Sequence, residues 1–124
     1  MEASTHKPVE WIASAKKDLM GFPREVQRAI GYALGFAQRG DKHESAKPLK
    51  GFGGAGILAI VEDFDGDAYR AVYAVRFPQA IYVLHAFRKK AHRGRTTPPQ
   101  EIKLVRARLK VAEADYAENY GGTG

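Results

Sequence analysis

The stretch DAYRAVYAVRFPQAIYVLHAFRKKAHRGR, Asp67 to Arg95, decides the fold. Tyr69, Arg70, Val72, Tyr73, Val75 and Phe77 form one β-branched and aromatic run, and Ile81, Tyr82, Val83, Leu84 and Phe87 form the next. Such residues suit a pleated, half-buried surface, and Pro78-Gln79 between the runs marks a hairpin. The second run ends in Arg88, Lys89, Lys90, His92, Arg93 and Arg95, with no acidic residue among them. A sheet that feeds into a dense cationic edge is a scaffold for holding a polyanion.

Pro78 has a fixed negative φ, which disfavours a two-residue primed turn. A four-residue loop, Phe77 to Ala80, instead pairs Arg76 with Ile81, Val72 with His85 and Arg70 with Phe87. Directly opposed residues share a face, and the face recurs at every second residue. Arg70, Arg76, His85 and Lys89 then lie on one face. An Asp65-Gly66 turn upstream adds Ala59 and Val61 to it. The other face carries Tyr69, Tyr73, Val75, Tyr82 and Leu84 and suits packing under helices. A loop one residue longer or shorter would send Arg70 and His85 to opposite faces.

Working outward, Ile57 to Glu62 reads as a third strand, and Leu49 to Phe52 as a short strand or the entry to one. Gly51, Gly53, Gly54 and Gly56 make a flexible approach, but no Gly-Lys-Ser/Thr follows, so this is not a phosphate loop. Asp41 to Lys47 is a polar loop. Counted from Asp63, the sixth position of a calcium loop is Ala68 and not glycine, which excludes that motif. Trp11, Ala15 and Leu19 are spaced for a helix over Val9 to Met20. Pro23 opens a second helix with Val26, Ile30, Ala33, Leu34 and Ala37 on one stripe and Gly40 after it. Downstream, Thr97 as N-cap, Pro98 as first helical residue and Gln100 as capping partner predict a last helix. Its buried face is Ile102, Val105, Leu109, Ala112 and Tyr116.

A chain of 124 residues that is 44% hydrophobic has material for one core, so a single domain over residues 1–124 is expected, with flexible ends at 1–8 and 117–124. The absence of cysteine excludes disulfides, thiolate metal sites and cysteine nucleophiles. The N-terminus has no apolar signal region and no run nears the roughly 18 apolar residues of a membrane span. A soluble cytoplasmic protein with no membrane partner is the expectation. A formal net charge of +6 suits nucleic acid or an acidic protein partner.

The order helix, helix, glycine-rich approach, antiparallel strands, basic edge, helix resembles the RelE/ParE superfamily of toxins, and more closely its phage-derived, HigB-like branch. The residues that carry this are Lys47-Pro-Leu-Lys-Gly51, Tyr69-Arg-Ala-Val-Tyr73, Tyr82-Val-Leu-His-Ala-Phe87 with Lys89-Lys90, and Thr97-Pro98 leading into Arg106-Ala-Arg-Leu109. The resemblance implies an α+β fold like that of small microbial ribonucleases: two N-terminal helices, a three- to four-stranded antiparallel sheet and a C-terminal helix. It implies the toxin of a type II toxin–antitoxin system, an endoribonuclease acting on mRNA at the ribosome without metal or other cofactor. The implied partner is a cognate antitoxin of the helix-turn-helix kind. Arg70 matches the arginine of the family's strand signature, and Lys89 and Lys90 its basic strand end. RelE-type enzymes carry basic residues on the strand that corresponds to Leu58 to Val61, which is apolar here.

Metal-free RNA cleavage requires a base for the 2′-hydroxyl proton, cations for the charged phosphorane and an acid for the leaving 5′-oxygen. The candidate catalytic residues are Arg70 and Lys90 for the phosphate, and His85 or a lysine depressed by cationic neighbours, Lys89 included, for the proton. Lys50, Arg76, Arg88, His92, Arg93, Arg95 and Arg106 are candidate RNA contacts. Two alternatives stand beside this reading: a non-catalytic basic module that binds nucleic acid or protein, and a gyrase-directed toxin of the same fold.

Overall fold

The computed structural model describes residues 6–54, 56–90 and 97–121. Asp65 (φ 52°) and Gly66 (φ 88°) both take left-handed backbone, the conformation of the primed turn whose twist matches its flanking strands. Around this turn β3 (Ile57–Phe64) and β4 (Asp67–Ala74) pair antiparallel, with Phe64 opposite Asp67 and Ile57 opposite Ala74. The Asp65-Gly66 hairpin of the sequence reading is therefore present, and Val61 and Ala59 pair with Arg70 and Val72 as expected.

The fifth strand, β5 (Ile81–Lys90), pairs antiparallel with β4. Arg70 opposes Phe87 and Val72 opposes His85, in the expected register. Beyond Val72 the register slips by one: Tyr73 opposes Val83 and Ala74 opposes Tyr82, which leaves Leu84 as an extra residue in a β-bulge. The bulge corrects two expectations. The Arg76–Ile81 pair does not form, because β4 ends at Ala74. Tyr82 and Leu84 join Val72 and Ala74 on one face, while Tyr69 and Tyr73 stay on the other.

Two short strands, β1 (Val9–Trp11) and β2 (Ala46–Pro48), complete the sheet in the order β1-β5-β4-β3-β2. The first, β1 (Val9–Trp11), runs parallel to the start of β5. The second, β2 (Ala46–Pro48), runs antiparallel to β3. The expected three or four antiparallel strands are thus five in a mixed sheet, and the α+β class is as expected. The helix expected over Val9 to Met20 is divided between β1 and α1 (Ala15–Met20), and Ala13, at φ 52°, breaks it. Trp11, Ala15 and Leu19 still pack in one cluster, so their spacing reported burial shared by a strand and a helix. The second strand falls on Ala46–Pro48 rather than Leu49 to Phe52.

The sheet is covered on both faces. On one, α1 and α2 (Arg24–Gln38) bury Leu19, Val26, Ile30 and Leu34 against Leu58, Ile60, Tyr73 and Val83. On the other, α3 (Pro99–Asn119) buries Val105 and Ala112 against Val72, Tyr82, Leu84 and Phe87, with Ile102, Leu109 and Tyr116 packed around them. Within the ends expected to be flexible, the described residues Lys7, Pro8 and Tyr120 are hydrogen-bonded to the rest of the fold. Lys7 N–H donates to the Gln38 carbonyl and Pro8 O accepts from Ile81 N–H. The Tyr120 hydroxyl donates to Glu10, next to the stacked Tyr116 ring.

Tyr73 is fully buried at the centre of β4, and its hydroxyl has no hydrogen-bond partner among the described residues. Burial pushes its phenol up to about 12. The folded state therefore holds this proton more tightly than the unfolded chain does. The stabilisation is complete below the ordinary phenol value of 10.0 and is lost as pH climbs towards 12. Tyr73→Phe is expected to raise stability by about 1 kcal/mol at neutral pH, since it removes a buried unsatisfied hydroxyl. It is also expected to flatten the alkaline decline in urea midpoints between those values. A loss of stability at neutral pH would contradict this reading.

Candidate functional site

The α3 face of the sheet is not fully covered. Between β2 with its following loop, the β3–β4 hairpin and the start of α3 lies a cavity of about 940 Å³. Lys47, Lys50, Asp63, Arg70 and Thr97 line it, together with Ala59, Val61 and Ala68 from the sheet. Arg70 is only 5% exposed. Its position on a central strand, opposite Phe87 and beside Val61, fixes its direction, and its Nη1 donates to the Thr97 hydroxyl at 2.9 Å. Burial lowers the affinity of the guanidinium for its proton, and the charge of Asp63 opposes that. Arginine nevertheless stays cationic.

Lys89 opposes Ala68, and strand alternation puts it on the same face as Arg70, two residue pairs along the ladder. Burial first, and the Arg70 charge second, lower its proton affinity. Two of the expected catalytic residues, Arg70 for the phosphate and Lys89 for the proton, are therefore neighbours. Lys90 opposes Asp67, while its side chain and all of His92, Arg93 and Arg95 lie outside the described residues.

Other expected contacts have different surroundings. Arg88 is on the opposite face, 3.7 Å from Asp67, in a groove with Lys17, Phe22 and Tyr69. Arg76 pairs with Glu113 at 3.4 Å and does not line the cavity. Arg106 donates to the Gly51 carbonyl at 2.6 Å and lies over the Phe52 ring at 4.6 Å. It holds the glycine-rich loop that carries Lys50. Gly51, at φ 98°, has the backbone that this bend requires.

His85 lies under α3 and is 6% exposed. Its Nε2 is 2.5 Å from Glu101 Oε1, and its Nδ1 is 3.3 Å from Arg108 Nη1. A guanidinium only donates, so Nδ1 accepts and Nε2 carries the hydrogen that goes to Glu101. The ring, stacked on Phe87, thus has both nitrogens engaged. Arg108 also donates to the Leu84 carbonyl at 3.0 Å and the Ser14 hydroxyl at 3.2 Å, and Ser14 donates to Asp18. This chain ties α3 to the bulge in β5 and to the start of α1. His85 and Glu101 do not line the cavity.

Glu101 was not singled out in the sequence, and Arg108 and Lys47 entered only within the motifs that carry the resemblance, with no role of their own. Thr97 was expected as an N-cap, yet the helix starts at Pro99 with Pro98 in the cap position, and the Thr97 hydroxyl serves Arg70 instead. The spacing of Glu101, Val105 and Arg108 on one side of α3 was the available signal for the first two. No group of three or more His, Cys, Asp or Glu side chains among the described residues is arranged to hold a metal ion.

Arg108→Met is expected to lower stability by about 2 kcal/mol, because it leaves the Leu84 carbonyl and His85 Nδ1 without their donor. The urea midpoint should fall with an unchanged slope. An unaltered midpoint would show that the network does not hold the fold.

The geometry can be set beside known proteins. No curated protein matches the chain. Among solved structures the chain is similar to the toxin–antitoxin complex RelBE2 from Mycobacterium tuberculosis, with 21% identity and a TM-score of 0.47 over 73% of this chain and 99% of that one. A family model described as phage-derived protein Gp49-like matches residues 17–110. That span takes in the β3–β5 sheet, the cavity and the first half of α3, and the chain belongs to the phage-derived Gp49-like family.

Proposed function

We propose that this protein is the toxin of a type II toxin–antitoxin pair, of the HigB-like branch, and that it cleaves mRNA at the ribosome in the cytoplasm. The observation that carries the proposal is the juxtaposition of Arg70 and Lys89 on neighbouring strands, beside a cavity that also takes in Lys47 and Lys50. In this reading Arg70 holds the scissile phosphate and stabilises the charge that develops on it. Lys47 and Lys50, which line the same cavity, add further cations. Lys89, whose ammonium is disfavoured by burial and by Arg70, exchanges the proton with the 2′-hydroxyl or the leaving oxygen. His85 positions α3 through Glu101 and Arg108 rather than meeting the RNA. Arg88 and the basic run after Lys90 supply contacts to rRNA, mRNA or an acidic antitoxin surface.

A second reading is favoured by one specific observation. Ala59 and Val61 put methyl groups, not cations, beside Arg70. This suits a module that binds nucleic acid or protein without cleaving.

Lys89→Ala and Arg70→Gln separate the two. If these groups act in the transition state, cleavage of ribosome-bound mRNA, read by primer extension, falls by about 10²–10³-fold. RNA affinity then falls by less than about tenfold. Equal losses in both would favour the binding module. Growth arrest with intact transcripts would indicate a different target, such as gyrase.

A further inference from the structure

Helix α3 carries apolar residues on two sides. One side, with Val105 and Ala112, is buried against the sheet. Leu104, Ala107, Val111 and Ala114 follow at intervals of 3, 4 and 3 residues, which helical periodicity sets roughly opposite that buried side. Val111 is 54% exposed, Ala107 and Ala114 are exposed, and Leu104 is half-buried. None of the four belongs to either core cluster. The outward side of a surface helix is ordinarily polar, so this stripe has no task within the single chain.

The spacing is that of a seam between two helices, along which apolar residues recur every 3.5 residues or so. Alanine at alternate positions of the seam lets a second helix come close. The charges beside the stripe decide which helix fits. Lys103 is exposed at its N-terminal end and Glu118 beyond its C-terminal end. Among the described residues neither has an ion-pair partner. Lys110, beside the middle, has Glu113 a turn further along its own helix. A second α3 laid antiparallel sets Ala107 against Val111 at the centre. It also brings Lys103 of each copy within a helical turn of Glu118 of the other, so opposite charges meet at both ends. A parallel second copy would put like charges together at each end.

We propose that the outward face of α3, along Leu104, Ala107, Val111 and Ala114, is a self-association surface on which a second copy of the chain packs its own α3 antiparallel, about a two-fold axis. None of these residues lines the cavity, so the surface stands apart from the RNA reading and does not depend on it. A seam of a few turns is smaller than the roughly 800 Å² per partner of a standard interface, so the dimer is weak, with a Kd of about 10–100 µM.

The test is sedimentation velocity of the full chain at concentrations from about 5 to about 500 µM, which bracket that Kd. The unaltered chain is expected to pass from monomer to dimer over the range. Val111→Lys, at the centre of the seam, should raise the Kd at least about tenfold. Lys103→Glu and Glu118→Lys each set like charges against one another at both ends, and each should raise the Kd by about three- to tenfold. Mixed in equal amounts, these two variants should dimerise as tightly as the unaltered chain, because opposite charges meet again at both ends. All three positions are exposed, so folding is not at stake. A chain that stays monomeric throughout overturns the proposal and leaves the face to a helix of another protein. A dimer that Val111→Lys leaves intact is formed elsewhere and overturns it too. A mixture no tighter than its components overturns the antiparallel arrangement.

Discussion

Opposite Val72, the fifth strand carries one residue more than its partner, and that residue, Leu84, sets which side chains meet α3. In an unbroken ladder, alternation would separate Leu84 from His85, and the pairing at Tyr73–Val83 would continue to place Arg88 opposite Ala68. The bulge lets Tyr82, Leu84, His85 and Phe87 all lie under one helix. It also gives Lys89, rather than Arg88, the place opposite Ala68 on the Arg70 face. A bulge costs a ladder position and bends the strand. Here the freed Leu84 carbonyl takes a hydrogen from Arg108, so the irregularity is bonded to the helix that it admits.

That helix has a different task along each side. Glu101 and Arg108 grip His85 and the bulge, while Arg106 grips the glycine-rich loop at Gly51 and Phe52. Further along, Asp115 accepts from the buried Tyr82 hydroxyl, and Tyr116 packs on Phe77. Polar side chains of α3 thus fix the cavity from one wall, and apolar ones seat it on the sheet. The positive charge on this surface is divided as well. Arg76 and Arg106 are engaged with Glu113 and Gly51, whereas Lys47 and Lys50 line the cavity.

Much of this was legible in the residues. The β-branched runs, the Asp65-Gly66 turn, the stripe of α2 and the buried face of α3 each follow from local periodicity and turn chemistry, whereas the pairing of Arg70 with Phe87 agrees with the expected one because the extra residue at Leu84 offsets a longer connection than the four-residue loop expected. What escaped is non-local. A three-residue edge strand such as β1 has no periodicity of its own, and its identity comes from Ile81–Val83 alongside it. A bulge leaves no mark in a continuous apolar run. His85 was legible as a strand histidine, but its partners come from 16 and 23 residues away on a helix whose angle is a tertiary matter. Arg106 read as a candidate RNA contact because helix periodicity does not show that a loop 55 residues upstream returns to it.

The account turns on which face of the sheet receives RNA. A crystal structure with a short RNA made uncleavable by a 2′-deoxy substitution at the scissile nucleotide tests this directly. The account predicts the scissile phosphate within hydrogen-bonding distance of the Arg70 guanidinium, on the α3 side. RNA seated instead in the groove of Lys17, Tyr69 and Arg88 on the opposite face would contradict it.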